Sequence, residues 1–347
     1  MRSRPWVGLD MGSFSIKLLA IQSGPAGDRP FLGEVPAPPA GNDGRPAPEA
    51  LAQAISRCMS DAGLPSRGHR GLTLGVSGAD VIIKQISLPL LDENEVGPAL
   101  RFEARKHLPF DPQSMTIDYQ VLGRYPSEKR LDLLLAAVSN DRLQRLQAPL
   151  RALGLEADIV DAAPLALANA LAEEHPNQRE AQILLDVGHG SSLLSIYQKG
   201  EPYFTRRLDF GGRTITHAIA SATHVPFDEA EEWKLAAGSD EPGFRVDWNS
   251  AEMQAVSEAL RSELVDELLR TLAFYRTIGH LSEPLRLWLS GGSARLPGIA
   301  IRLADQLGMP VEIFNPLEDL LEPADDGAPR TAGPQFAQAF GLAMRTA

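Results

Sequence analysis

Asp186, Gly188, His189, Gly190 and Ser191 lie between two apolar runs in the stretch ILLDVGHGSSLLSIYQ, residues 183–198. An apolar strand, a Gly/Ser turn and a second apolar strand make a β-hairpin. Its tip exposes backbone N–H groups and hydroxyls that can cradle phosphate. A carboxylate at the end of the buried strand, here Asp186, can hold a hydrated magnesium ion. Asp, Gly and Ser are also ordinary turn residues, so the stretch taken alone favours a plain hairpin. The pattern occurs a second time, near the start of the chain: Asp10, Met11, Gly12, Ser13, Phe14 and Ser15 lead into the apolar run Ile16–Ile21.

The elements around the two tips repeat as well. Arg29–Val35 follows the first hairpin and Glu201–Asp209 the second, each as a third strand. Helical segments come next, over Pro48–Ala62 and Thr214–Ala222. A long-range repeat of this kind carries more weight than either copy. Two similar halves with a phosphate-binding tip each imply a nucleotide in the cleft between them. Late in the chain Arg286–Leu289 runs as a strand into Ser290-Gly291-Gly292-Ser293, with a helix expected near Pro297. There backbone can lie flat against a base or phosphate.

Residues 75–158 match neither repeat. They read as a small α+β unit: strands over Leu72–Val76, Val81–Leu88, Thr116–Gly123 and Arg130–Val138, and helices from Asp92 to His107 and from Asp141 to Leu153. Asp92 with Glu95 forms a capping-box pattern, and Pro98 warns of a kink. A long helix is expected from a cap at Asn249 and Glu252 to about Ile278. Its apolar residues Met253, Val256, Leu260, Leu264, Leu268, Leu272 and Tyr275 recur every three or four positions, as a core helix requires.

The 347 residues allow two or more domains. With 44% hydrophobic and 22% charged residues the composition is that of a folded globular protein. A net charge of −12 argues against nucleic acid or anionic lipid as the main partner. Cys58 is the single cysteine, so no internal disulfide forms, as suits a reducing cytoplasm. No apolar run reaches the length of a membrane span, and Met1-Arg2-Ser3-Arg4 leads into a strand without a signal-like core. The expectation is a cytoplasmic protein.

Taken in order, the two tips and the late Gly-Gly turn resemble the duplicated α/β fold of the actin, hexokinase and Hsp70 ATPases. The resemblance implies ATP and magnesium as cofactors. Asp10 and Asp186 would orient the metal through water. Gly12, Ser13 and Ser15 would line the first phosphate tip, and Gly188, Gly190 and Ser191 the second. Lys17 would reach the phosphates, although strand alternation also allows a lysine facing solvent. Gly291, Gly292 and Ser293 would flank adenine and ribose.

Further phrases narrow the likeness. Gly211-Gly212-Arg213-Thr214 and Glu229–Lys234 resemble the cell-division protein FtsA and its pilus relatives, in which Glu231 and Lys234 would lie near ribose and adenine and Gly212 beside them. The inserted unit resembles the 1C subdomain of those proteins. RFEARKHLPF (101–110), IDYQV (117–121), Val160-Asp161 and GLAMR (341–345) together most resemble the PilM family of type IV pilus assembly.

The implied organisation is a first half over 1–74, completed by 159–180 and 334–347, the insert over 75–158, and a second half over 181–333. The implied function is an ATP-binding scaffold that docks the cytoplasmic N-terminus of the inner-membrane protein PilN. It would sit peripherally at that membrane through PilN and other assembly proteins, with self-association open. The alternatives are an FtsA-like division or filament protein and, behind it, a small-molecule kinase. The last helix, with Arg345 as its basic residue, is a poor membrane anchor, and no carboxylate stands out as a kinase base.

Two tip residues depart from the pattern. Phe14 stands where actin has glycine, and His189 stands where an acidic or small residue is usual. No residue is an obvious water-activating base, so slow or absent hydrolysis is expected. His189 is read as an exposed turn histidine, with a hydrogen-bonding role in the tip as the alternative.

Overall fold

Two five-stranded sheets of the same construction organise the computed structural model, which describes residues 5–24, 27–41, 44–64, 71–78, 81–108, 111–175, 180–198, 201–239, 246–277, 284–321 and 333–345. In chain order the first half supplies β1 (Trp6–Met11), β2 (Ser15–Gly24), β3 (Gly27–Pro36), α1 (Pro48–Asp61) and β4 (Gly71–Val76). Then come β5 (Val81–Pro89), α2 (Glu93–His107), β6 (Met115–Tyr125), β7 (Arg130–Ser139) and α3 (Asn140–Ala152). The chain continues with β8 (Ile159–Ala162), α4 (Ala163–Glu174), β9 (Gln182–Val187), β10 (Ser192–Gln198), β11 (Glu201–Leu208), α5 (Gly212–Thr223) and α6 (Phe227–Ala237). It ends with α7 (Ala251–Ala259), α8 (Asp266–Thr277), β12 (Leu287–Ser290), α9 (Ile299–Leu307), β13 (Val311–Ile313) and α10 (Ala337–Met344).

The sheet orders are β3-β2-β1-β4-β8 and β11-β10-β9-β12-β13. Each pairs an antiparallel three-stranded meander with two parallel strands. β4 sits inside its sheet between parallel neighbours and reads GLTLGV, buried at every residue, as a strand covered on both faces must be. This is the duplicated fold expected from the repeat.

The insert forms its own sheet, β5-β7-β6, whose apolar face (Leu131, Leu133, Leu135) packs on Val96, Leu100 and Ala104 of α2. The Asp92 N–H donates to Glu95 Oε2 at 3.1 Å, as the capping pattern requires. Gln85 Nε2 donates to the Pro202 carbonyl at 3.3 Å, so the insert touches the second half. Pro109 and Phe110, Ala79 and Asp80, Pro65, the loop residues 42–43 and 322–332, and Ile278 lie outside the described residues.

The long helix differs from expectation in two ways. Its cap is Ser250, whose hydroxyl accepts from Met253 N–H at 3.4 Å, rather than Asn249. Between α7 and α8 the segment Leu260–Val265 is a π-helix. Val256, Leu260, Leu264 and Leu268 are spaced by fours, and an ideal α-helix drifts about 40° per such step. A wider turn keeps all four in the core. The helix expected near Pro297 begins at Ile299.

One layer joins the halves. Leu167, Ala170 and Leu171 of α4 and Ala339, Phe340 and Ala343 of α10 share a core with Leu19 of the first sheet and Leu184, Tyr197 and Trp288 of the second. Contact is close enough to require glycine: a Cβ on Gly341 would run into the Ala166 carbonyl, and one on Gly8 into the Ala339 carbonyl. Gly341→Ala is therefore expected to cost about 1–3 kcal/mol by overpacking, read as a lower urea midpoint with unchanged m-value. An unchanged midpoint would show that the layer can part without penalty.

Candidate nucleotide site

The two tips fold through the same turn. Gly12 N–H donates to the Ser15 carbonyl at 3.1 Å, and Gly188 N–H donates to the Ser191 carbonyl at 3.2 Å. A Cβ on Gly12 would stand 2.8 Å from the Ser15 oxygen, and one on Gly188 3.0 Å from the Ser191 oxygen. A side chain at Gly12 would therefore force the first tip apart, and one at Gly188 would be tight against the second. The shared pattern is Asp-x-Gly-x-x-Ser, starting at Asp10 and at Asp186. Across the cleft, a Cβ on Gly190 would meet Ser13 Oγ at 3.6 Å, so the tips face one another.

Each aspartate is held by its own half. Asp10 lies opposite Lys17 in the β1–β2 register, and Lys17 Nζ is 3.6 Å from Asp10 Oδ2 with the lysine side chain only 12% exposed. Lys17 thus faces the cleft rather than solvent. Gln338 of α10 donates from Nε2 to Asp10 Oδ1 at 3.0 Å. Asp186 lies opposite Ser290 in the β9–β12 register and accepts from Ser290 Oγ at 2.9 Å.

Burial raises the pKa of both carboxyls. At Asp10 the Lys17 charge opposes this, and Glu34 adds a smaller upward push. At Asp186 the pKa reaches about 6: burial dominates, the Ser290 hydrogen bond opposes it, and the Asp10 charge raises it further while Lys17 lowers it. The two carboxylates, far apart in sequence, therefore sense each other directly.

A third group closes one end of the cleft. Glu231 Oε2 accepts from Thr216 Oγ1 and, at 2.8 Å, from Lys234 Nζ, which also reaches Thr216 Oγ1 at 2.7 Å and the Gly212 carbonyl at 2.9 Å. Burial lowers the Lys234 pKa and Glu231 restores part of it. A Cβ on Gly212 would stand 3.1 Å from Ser293 Oγ and 3.2 Å from Lys234 Nζ, so Gly212, Lys234 and Ser293 converge. Gly291, at φ +89°, backs directly onto the Val187 backbone beside Asp186. Gly292 opens onto free space. Gly212 and Arg213 N–H groups donate to the Gly188 and His189 carbonyls, both at 2.8 Å, tying the second tip to the start of α5.

Two tip residues have surroundings that the sequence did not show. The Ser15 hydroxyl is engaged within the first half: it is buried and donates to Glu34 Oε1 at 2.7 Å, on the strand face that also carries Lys17. His189 is not an exposed turn histidine. Its side chain is 19% exposed, with Nδ1 4.0 Å from Glu231 Oε1 and its ring centroid 5.1 Å from that of Phe14 in the other half. Sequence reasoning missed Thr216, Gln338 and the Phe14–His189 contact. The two departures from the family pattern were the available signal for that contact.

The sequence model of the type IV pilus assembly protein PilM family matches residues 8–347. A solved PilM-PilN type IV pilus biogenesis complex matches with TM-score 0.80 and 30% identity, over 98% of each chain. The cell division protein FtsA of Neisseria meningitidis serogroup B is 24% identical over 337 residues, 85% of this chain and 78% of that protein. FtsA of Bacillus subtilis is 27% identical over 180 residues, 47% of this chain but only 40% of that longer protein. The FtsA likeness is thus partial and weaker, while the pilus family's pattern runs through both halves, the insert and α10. The chain belongs to the PilM family of type IV pilus assembly proteins.

Proposed function

We propose that the chain is a nucleotide-binding scaffold of pilus assembly, with Mg-ATP between the two tips and the cytoplasmic N-terminal segment of PilN docked beside it. The observation that carries the nucleotide reading is the pair of identically turned tips, each presenting a buried aspartate toward the other. Asp10 and Asp186 fit a magnesium ion held through water, since this metal keeps several waters and takes one or two carboxylates plus phosphate. Among the described residues no group of three His, Cys, Asp or Glu side chains gathers to hold a metal directly. When bound, the ion would neutralise phosphate charge. Gly12, Ser13, Gly188, Gly190 and Ser191 would line the phosphates, with Lys17 adding a cation. Gly212, Glu231, Lys234, Gly291, Gly292 and Ser293 would form the base and sugar end.

The PilN reading is supported by the 30% identical relative, solved as a PilM-PilN complex. On this reading residues 1–74, 159–180 and 334–347 of the chain would make the first half, 181–333 the second, and 75–158 an insert whose edge strand β5 offers backbone for an added peptide strand. No helix among the described residues is long and apolar enough to cross a membrane. The chain would be cytoplasmic and reach the inner membrane through PilN. A labelled PilN N-terminal peptide should bind the full chain saturably; absence of binding with and without Mg-ATP overturns this part.

Asp10→Asn and Asp186→Asn should each weaken Mg-ATP binding at least about tenfold, roughly 1.4 kcal/mol, in calorimetry. Affinities equal to wild type would remove both residues from the site.

Asp186 also sets a pH dependence. Its folded pKa, about 6, lies above the ordinary 3.8, so its contribution to stability is complete below about pH 4 and is lost as pH rises through 6. Asp186→Asn keeps the Ser290 hydrogen bond and removes the buried charge. It should raise nucleotide-free stability at pH 8 by on the order of 1–3 kcal/mol, and a thermal melt that falls instead would contradict this.

Hydrolysis should be slow or absent. With Asp10 and Asp186 assigned to the metal, no further residue of the cleft stands out as a base to activate the attacking water. Sustained phosphate release at about 1 per second or faster would overturn that expectation.

A further inference from the structure

Ser13 and Gly190 stand too close for a phosphate to lie between them: a Cβ on Gly190 would meet Ser13 Oγ at 3.6 Å. A phosphate held from both sides needs a hydrogen bond of about 2.8 Å to each tip, with its own width in between. The tips must therefore part to take one. Phe14 and His189, the residues next to these two, oppose that. Their rings lie in contact from opposite halves, centroids 5.1 Å apart and tilted by 35°, the spacing of an ordinary aromatic pair.

His189 forgoes a polar partner in this arrangement. Its Nδ1 stands 4.0 Å from Glu231 Oε1, too far for a hydrogen bond. That oxygen is buried with no hydrogen-bond partner among the described residues, since Thr216 and Lys234 both serve Oε2. A buried carboxylate oxygen without a donor is costly and calls for an explanation. His189 thus lies between two partners, the Phe14 ring across the cleft and Glu231 in its own half. It holds the first and misses the second.

We propose that Phe14 and His189 form an autoinhibitory clasp. Closed, it keeps the tips together against nucleotide; open, His189 turns onto Glu231 Oε1. The inference rests on the nucleotide reading of the cleft and gives neither ring a contact with the ligand. Each arrangement satisfies what the other leaves out. The closed one pairs two rings, and the open one gives the Glu231 carboxylate a charge-assisted hydrogen bond from the imidazole N–H. A contact of this strength shifts a balanced equilibrium about two- to tenfold. The apparent affinity for nucleotide falls by the fraction of molecules left open.

The test is calorimetric binding of Mg-ATP to the full chain as wild type, Phe14→Ala, Phe14→Tyr, His189→Ala and the double variant Phe14→Ala with His189→Ala. Nucleotide-free thermal melts report folding. Phe14 is 39% exposed, so its truncation opens no core cavity. Phe14→Ala should bind Mg-ATP about two- to tenfold more tightly than wild type, and melt at a lower temperature without nucleotide. Phe14→Tyr keeps the ring and should match wild type. In the His189→Ala background the same truncation should change affinity less than about twofold, because the partner ring is gone. Three results would overturn the clasp and leave the nucleotide reading standing: Phe14→Ala binding no more tightly than wild type, an equal gain with His189 absent, or an equal gain in Phe14→Tyr. Binding by Phe14→Ala where wild type shows none would support it. If wild type and every variant fail to bind Mg-ATP, the nucleotide reading falls and this inference with it.

Discussion

The layer formed by α4 and α10 is the constraint on which the cleft depends. Both sheets bury one face on it, through Leu19 in the first half and Leu184, Tyr197 and Trp288 in the second. A Cβ at Gly8 or Gly341 would strike helix backbone, so the layer has no slack toward the first half. Interiors packed to this density transmit displacement rather than absorb it. The tips stand at the ends of β1 and β9, strands that lie on this layer. Their spacing is therefore inherited from a packed core and not from the loops themselves. Gln338 makes the link explicit, because it sits on α10 and donates directly to Asp10.

Holding two carboxylates within electrostatic reach is unfavourable without a cation. Desolvation already raises each pKa, and Asp10 pushes Asp186 further. The structure meets this only in part: one lysine serves mainly Asp10, and one hydroxyl serves Asp186. Strain of this sort between like charges is common where a cation is to be bound. The Glu231 end differs. There Lys234 and Thr216 satisfy one carboxylate oxygen at hydrogen-bond distance, and the shortfall lies in the other. One end of the cleft lacks positive charge and the other lacks a neutral polar group. That contrast matches a ligand with an anionic end and a hydroxyl-bearing end.

Much of this was legible in the sequence because it is local. Asp-x-Gly-x-x-Ser occurs twice, and a turn that closes a glycine N–H on a carbonyl three residues ahead is visible as spacing. Strand alternation alone left Lys17 undecided; the Asp10–Lys17 register resolves it. What was not legible depends on pairs far apart in the chain. Gln338 reaches Asp10 across 328 positions, Gln85 reaches Pro202 across 117, and neither residue type announces such a partner. Ser15 shows the opposite limit. It has the residue type of a phosphate tip, but a buried strand position gives its hydroxyl to Glu34. The π-turn was hidden for a similar reason, since four-residue spacing reads as ordinary helix until the drift is summed over several turns.

Phe14 and His189 acquire meaning only as a pair. Each alone is an odd substitution at a tip where small residues suit close approach to phosphate. Together they form a ring contact spanning the two halves at the tips. A scaffold differs from a motor in what it asks of such a cleft: a motor must open every cycle, while a scaffold benefits from a closed state that persists. An aromatic contact of this kind contributes about 0.5–1.5 kcal/mol beyond its buried area, enough to shift a balanced open–closed equilibrium roughly two- to tenfold. The insert touches the second half at Pro202, on the strand that pairs with β10 directly after the His189 tip. A displacement between the halves would therefore alter both the ring contact at the tips and the insert's contact at Pro202.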